Sequence, residues 1–328
     1  MKLSFLFVLL TLFLSSAGQL REGLTGVRDS SYSLEKELQK HRKNFPDLQL
    51  VKPADTPLVK QEKNILFCIT PERILRMDTY RPAKKGRKRT AVIFIHGGGW
   101  RSGDKSMHAA LLIRLAAQGY VCFSPEYRLS TEALYPAAIH DVKSAIRWVR
   151  AHAKQYRVDP DKLVIAGHSA GGELAAFMGS TNGNSSFEGN GCFPAASSKV
   201  NAVIDLDGTL AFIHPESGEG DDSKKISAGT YWFGYTKKER PDIWIQAAPL
   251  THAGAHCAPT LFINSSVDRM HAGREDYIKI MDSCDIYTAV HRFENAPHSF
   301  CFFEPWFGQT VNYMDQFIKQ VFILKKPD

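Results

Sequence analysis

From about residue 60 onward, short continuous apolar runs rich in β-branched residues alternate with longer stretches whose apolar residues recur at helical spacing. Asn64–Ile69 and Ile74–Tyr80 read as a strand pair, and Ala91–Ile95 has the unbroken apolar character of a fully buried strand. Ser106–Gln118 reads as a helix closed by Gly119, and Tyr120–Ser124 as the next strand. Pro136–Tyr156 carries Val142, Ala145, Ile146 and Val149 on one helical face. Lys162–Gly167, Val200–Asp207, Pro259–Asn264 and Ile286–Phe293 read as strands, separated by predicted helices at Gly171–Gly179 and Gly273–Met281 and followed by one at Gln309–Phe322. Strands alternating with helices, without tight hairpins after residue 90, predict a mostly parallel sheet covered on both faces. In such sheets ligands bind beyond the carboxyl ends of the strands, so chemistry is expected in the loops that follow them.

The N-terminal pattern is different. Met1-Lys2 is followed by an apolar run over Leu3–Leu14 and then by the small residues Ser15–Gly18, the layout of a signal peptide over residues 1–18. The run is too short for a stable membrane span. An exported protein without a stable membrane anchor, periplasmic or extracellular, is expected. Residues 19–60 are polar and hold Pro46, Pro53 and Pro57, which predicts an irregular or partly helical extension before the main domain over 61–328. The segment from about 207 to 241 is long for a strand-to-helix connection and reads as an insertion.

At 328 residues and 44% hydrophobic, the chain is long enough for one large core. Export permits disulfides: Cys68 and Cys122 read as small buried strand residues, whereas Cys192, Cys257 and Cys284 stand in loop-like contexts suited to bridging. No cysteine spacing suits zinc, so no metal is expected. The net charge of +7 is concentrated in Lys84–Arg89, a basic run without interleaved aromatics. It reads as a solvated loop and gives no reason to expect nucleic acid. Oligomeric state is not encoded in any of these patterns.

Gly167-His168-Ser169-Ala170-Gly171 lies between a predicted strand and a predicted helix. Glycines two before and two after the serine permit the sharp turn that lifts a hydroxyl into solvent, making Ser169 a candidate nucleophile. His96-Gly97-Gly98-Gly99-Trp100 follows the strand Ala91–Ile95, and no Gly-Lys-Ser/Thr sequence follows it, which removes a P-loop reading. The amides of Gly98 and Gly99, with that of Ala170, are candidate donors to a developing oxyanion. A serine needs a base and the base an orienting acid. His298, in a turn after the last strand, is the candidate base. For the acid, chain order favours Asp268 beyond the penultimate strand, with Asp207, Glu275 and Asp276 as rivals.

Together, "HGGGW", "GHSAGG", an aspartate in the loop after the penultimate strand and "APHSF" resemble the α/β-hydrolase fold, in its HGGG-bearing branch of esterases and lipases, over residues 62–324. The chain reads Asn264–Asp268 where hydrolases often read His-Gly-Asp-x-Asp. "IHGGGWRSGDK" and "DLDGTLAFIHPESGEGDD" further resemble secreted bacterial carbohydrate esterases of the pectin acetylesterase-like or pectinesterase kind. The resemblance implies a sheet of about eight strands, a Ser-His-Asp mechanism without cofactor, and a polysaccharide or oligosaccharide ester as substrate, foremost O-acetyl groups of pectin. Methyl-ester and feruloyl-ester cleavage are the enzymatic rivals, and a catalytically inactive carbohydrate-binding hydrolase-fold protein the non-enzymatic one. Trp100, Tyr231 and Trp232 are candidate sugar platforms, and Arg269, His271 and Arg274 candidate partners for a uronate carboxylate.

Overall fold

The computed structural model describes residues 18–324, so the expected signal peptide lies almost entirely outside the described residues. In chain order the elements are α1 (Leu34–His41), β1 (Gln49–Leu50), β2 (Val59–Ile69), β3 (Ile74–Pro82), β4 (Arg89–Ile95), α2 (Ala109–Ala117), β5 (Val121–Pro125), α3 (Ala137–Ala151), α4 (Ala153–Tyr156), β6 (Val158–His168), α5 (Ala170–Ser180) and β7 (Ala202–Leu206). Then follow α6 (Ala228–Phe233), α7 (Pro241–Gln246), β8 (Thr260–Asn264), α8 (Arg274–Ser283), β9 (Thr288–Arg292), β10 (Phe303–Glu304) and α9 (Trp306–Leu324).

Eight strands form one sheet in the order β2-β3-β5-β4-β6-β7-β8-β9, antiparallel at β2/β3 and β3/β5 and parallel from β5 through β9. This is the α/β-hydrolase arrangement. The central strands β4, β6, β7 and β8 are apolar over most of their length because helices cover both faces. Two clusters fill the two sides: one joins Ile93, Ile165 and Val203 to α3 and α5, the other Val92, Val164 and Ile204 to α2 and α9.

The N-terminal extension is ordered by specific contacts. Ser33 caps α1 by accepting from the Lys36 amide, and β1 pairs with β10. Arg28 bridges Asp104 and Glu126 at 3.0 and 3.1 Å, which fastens the segment across the carboxyl ends of the strands. Glu126 also receives Arg73 and Lys105, and although burial opposes ionisation, these cations hold its carboxyl down at about 2.

The cysteines depart from expectation. Cys68 is not a passive strand residue: it is bonded to Cys192 across 124 positions of sequence, while Cys122, Cys257, Cys284 and Cys301 are free. Pairing depended on which strand the loop bearing Cys192 folds against, a tertiary matter.

Candidate active site

The β6–α5 joint places Ser169 at φ 58°, ψ −124°, a strained conformation for a residue with a Cβ. The glycines make it possible. A Cβ at Gly167 would collide with the Gly171 carbonyl, and one at Gly171 with the carbonyl of Ile95. Ser169 also begins α5, so the Ala170 amide belongs to the first turn and has no carbonyl of its own helix to serve. The loop after β4 packs directly on this joint: a Cβ at Gly97 would stand 3.0 Å from that of Ser169. Gly98 and Gly99, at φ 121° and 61°, line the same pocket as Ser169 and Ala170, as the oxyanion reading requires.

His298 reaches Ser169 from the turn after β9. Its Nε2 lies 2.8 Å from Ser169 Oγ, and its carbonyl is held at 2.9 Å by Nε2 of His168. Behind the imidazole, Nδ1 lies 2.9 Å from Oδ2 of Asp207. The carboxylate that meets His298 is therefore that of Asp207 and not, as chain order favoured, that of Asp268. Asp268 begins a short turn beyond β8, its side chain is 82% exposed, and it is bound by Arg292 at 2.9 Å.

Asp207 is fully buried just past the end of β7, at φ 54°. Its other oxygen accepts from the Ser265 amide at 2.8 Å and from Asn264 Nδ2 at 3.3 Å, and His271 Nε2 approaches that oxygen at 3.5 Å. Burial alone would raise its pKa. Contacts from His271, His298 and Ser265 outweigh burial and hold the carboxyl well below the usual aspartate range. A permanently ionised acid fixes the His298 tautomer, with Nδ1 donating and Nε2 free to accept the serine proton.

The sequence did carry a signal for Asp207: an Asp-Gly step at the mouth of a five-residue buried strand, next to the strand that delivers the serine. Asp268 lies four residues past the end of β8, too far along the chain for its side chain to be fixed by the sheet.

The candidate substrate residues separate. Trp100 and Arg269 line the pocket with Ser169. Trp232 does not: it is fully buried and stacks on Trp100 at 4.8 Å, backing the pocket instead of meeting a ligand. Tyr231 lies under the Arg101 guanidinium, 4.1 Å from its ring. His271 faces Asp207, and Arg274 bonds the side chain of Asn264 at 2.6 Å, so both support the acid and neither faces the pocket. Trp232 and Phe233 thus pack the insertion onto the body, their rings buried against Phe212 and Trp244.

Trp100 is anchored from below. Its Nε1 donates to Glu173 at 2.9 Å, and burial keeps the Glu173 carboxyl protonated far above its ordinary range, with nearby Asp205 adding to the shift. The pocket itself measures about 280 Å³ and its wall includes Tyr32, Glu37 and Lys40 from the N-terminal extension.

Residues 77–273 match the BD-FAE family, more than half of the chain. The chain belongs to that family. Ser169, Gly98, Gly99 and Asp207 fall inside the matched range, while His298 and the N-terminal wall of the pocket fall outside it. Among characterised relatives, esterase LipC of Mycobacterium tuberculosis is 30% identical over 213 residues, which cover 63% of this chain and 51% of that protein. Esterase LipQ of the same organism is 27% identical over 219 residues, covering 66% and 51%. The chain thus spans about half the length of these relatives. Among solved structures, a truncated carbohydrate esterase from gut microbiota superposes with a TM-score of 0.68 at 23% identity, covering 81% of this chain and 99% of that one. Thermogutta terrifontis esterase 2 with butyrate bound superposes at 0.66 with 24% identity, covering 85% and 100%. These likenesses match the fold derived above for this BD-FAE member.

Proposed function

We propose that the protein is a serine carboxylic-ester hydrolase acting on a polysaccharide or oligosaccharide ester, with O-acetyl groups of a pectic chain as the substrate. The observation that carries the hydrolase reading is the unbroken line Ser169 Oγ, His298, Asp207 at 2.8 and 2.9 Å, ending beside the Gly98-Gly99 loop. Ser169 attacks the ester carbonyl while His298 Nε2 takes its proton, and the imidazolium is stabilised by ionised Asp207. The amides of Gly98, Gly99 and Ala170 take the charge of the tetrahedral oxyanion. His298 then protonates the departing alkoxide, the acyl group stays on Ser169, and water activated by the same imidazole releases it. An intact triad argues against the inactive carbohydrate binder.

We favour a small acyl group because the pocket measures only about 280 Å³ and Trp100 in its wall is immobilised between Trp232 and Glu173. Export to the periplasm or beyond is supported by the disulfide Cys68–Cys192, which requires an oxidising compartment. The test is product analysis on acetylated and methylated oligogalacturonides, with Ser169→Ala as control. Acetate released by the parent and not by the variant is expected. Methanol release without acetate would replace the acyl assignment, and equal release by Ser169→Ala would remove the hydrolase reading.

A further inference from the structure

Resting on that reading, we infer that Lys40 and Arg269 form a two-cation clamp at the mouth of the pocket that selects an ester whose alcohol carries a carboxylate.

The two cations come from distant segments and are mounted in the same way. Lys40 stands in the last turn of α1, with its Nζ 3.2 Å from Glu37 Oε1 and 3.4 Å from Oε2, and His41 Nε2 lies 3.3 Å from the second oxygen. Arg269 stands in the turn after β8, its Nη1 3.2 Å from Glu219 Oε1. All four side chains line the pocket that contains Ser169 and His298. The pairs are not symmetric towards solvent. Glu37 and Glu219 are 11% and 16% exposed, whereas Lys40 and Arg269 are 63% and 53% exposed. The carboxylates lie beneath and the cations above, so an entering molecule meets positive charge first.

Unused donor capacity points the same way. A guanidinium has five N–H donors and an ammonium three; Arg269 spends one on Glu219, and Lys40 shares its ammonium between the two Glu37 oxygens, so most donors of Arg269 and at least one of Lys40 stay open. The remainder can give charge-assisted hydrogen bonds, which a neutral sugar hydroxyl exploits poorly and a carboxylate exploits fully. The buried carboxylates restrict both long side chains in advance, lowering the entropy lost when they grip a ligand. Trp100 lines the same pocket, but its ring is held by Trp232 and Glu173, so the exposed polar groups offered to the alcohol are those of Lys40 and Arg269. Lys40 lies outside the range matched to the BD-FAE family, so half of the clamp is supplied by this chain's own N-terminal extension.

The test uses a matched pair, a methyl mono-O-acetyl-galactopyranoside and the same compound with C6 oxidised to a carboxylate. The expected kcat/KM ratio favours the acid roughly tenfold at low salt and shrinks as salt is raised. Lys40→Met and Arg269→Met each lower that ratio about threefold, Lys40→Glu lowers it further, and Arg269→Lys retains part of it. A ratio near one, or a ratio that no substitution at either position moves, overturns the clamp. Binding of the two probes to Ser169→Ala separates the clamp from the chemistry. Tighter binding of the acid sustains the clamp even if neither probe is hydrolysed by the parent protein, a result that would count against the proposed reaction alone; equal binding sinks the clamp whatever the turnover.

Discussion

Two loops at neighbouring strand ends each carry an aspartate, and the two could hardly differ more. Asp207, past β7, has no exposure and holds its charge through contacts from four residues. Asp268, past β8, is 82% exposed and meets one arginine. Chain order favours Asp268, while burial and hydrogen bonding decide for Asp207. An orienting acid must be both fixed and shielded, since in water its interaction with an imidazole is too weak to set a tautomer. The loop after β8 still contributes to the site, through Asn264, the Ser265 amide and His271, all of which converge on the acid of its neighbour.

The largest test of this contrast is a pair of substitutions. Asp207→Asn should lower kcat by about 10³ to 10⁴ by disfavouring the working tautomer of His298, and Asp268→Asn should change it less than about threefold. Equal losses in steady-state assays would mean the loops exchange roles in solution. Next, His271→Gln should lower kcat by about three- to tenfold and shift the acid limb of the pH–rate profile, because one contact to Asp207 is lost while the others remain. An unchanged pH profile would make His271 a packing residue only.

Burial also sets the acid sensitivity of the layer beneath the serine. His96 and His168 are buried and neutral, pushed down to about 4 by desolvation, and burial pushes His108 well below its ordinary value, with nearby His168 and His96 adding to the shift. Each binds a proton more readily in the unfolded chain, so stability from these groups is present above about pH 6.5 and is lost as pH falls towards 4. Glu173 and Asp205, raised by burial, act with the opposite sign. The comparison must therefore be between variants. His108 packs against Phe94 and Phe302 with neither ring nitrogen engaged, so the stability gained by His108→Phe should be larger at pH 5 than at pH 7.5 in denaturant titrations, by at most about 2 kcal/mol. A parallel pH dependence in both proteins would refute it. The smallest effect belongs to the exposed loop: Arg292→Ala, which removes the partner of Asp268, should change stability by less than about 0.5 kcal/mol.

The order of strands and helices, the glycine loop after β4, the sharp turn at Ser169 and the placing of His298 in a turn after the last strand were legible in the sequence. Each rests on a local rule: apolar periodicity, glycines flanking a strained serine, or a polar turn after a buried strand. What the tertiary structure alone decided was every feature that joins segments remote in sequence. Asp207 prevails over Asp268 because the sheet order sets β7 between β6 and β8, where its mouth is roofed by both neighbouring loops. Cys68 found Cys192, Trp232 went behind Trp100 and not into the pocket, and α1 came to wall the site, because burial and charge pairing depend on what lies nearby in space. Hydrophobic spacing constrains a residue relative to its own element, whereas the field and shielding that give a carboxylate its role come from several elements at once.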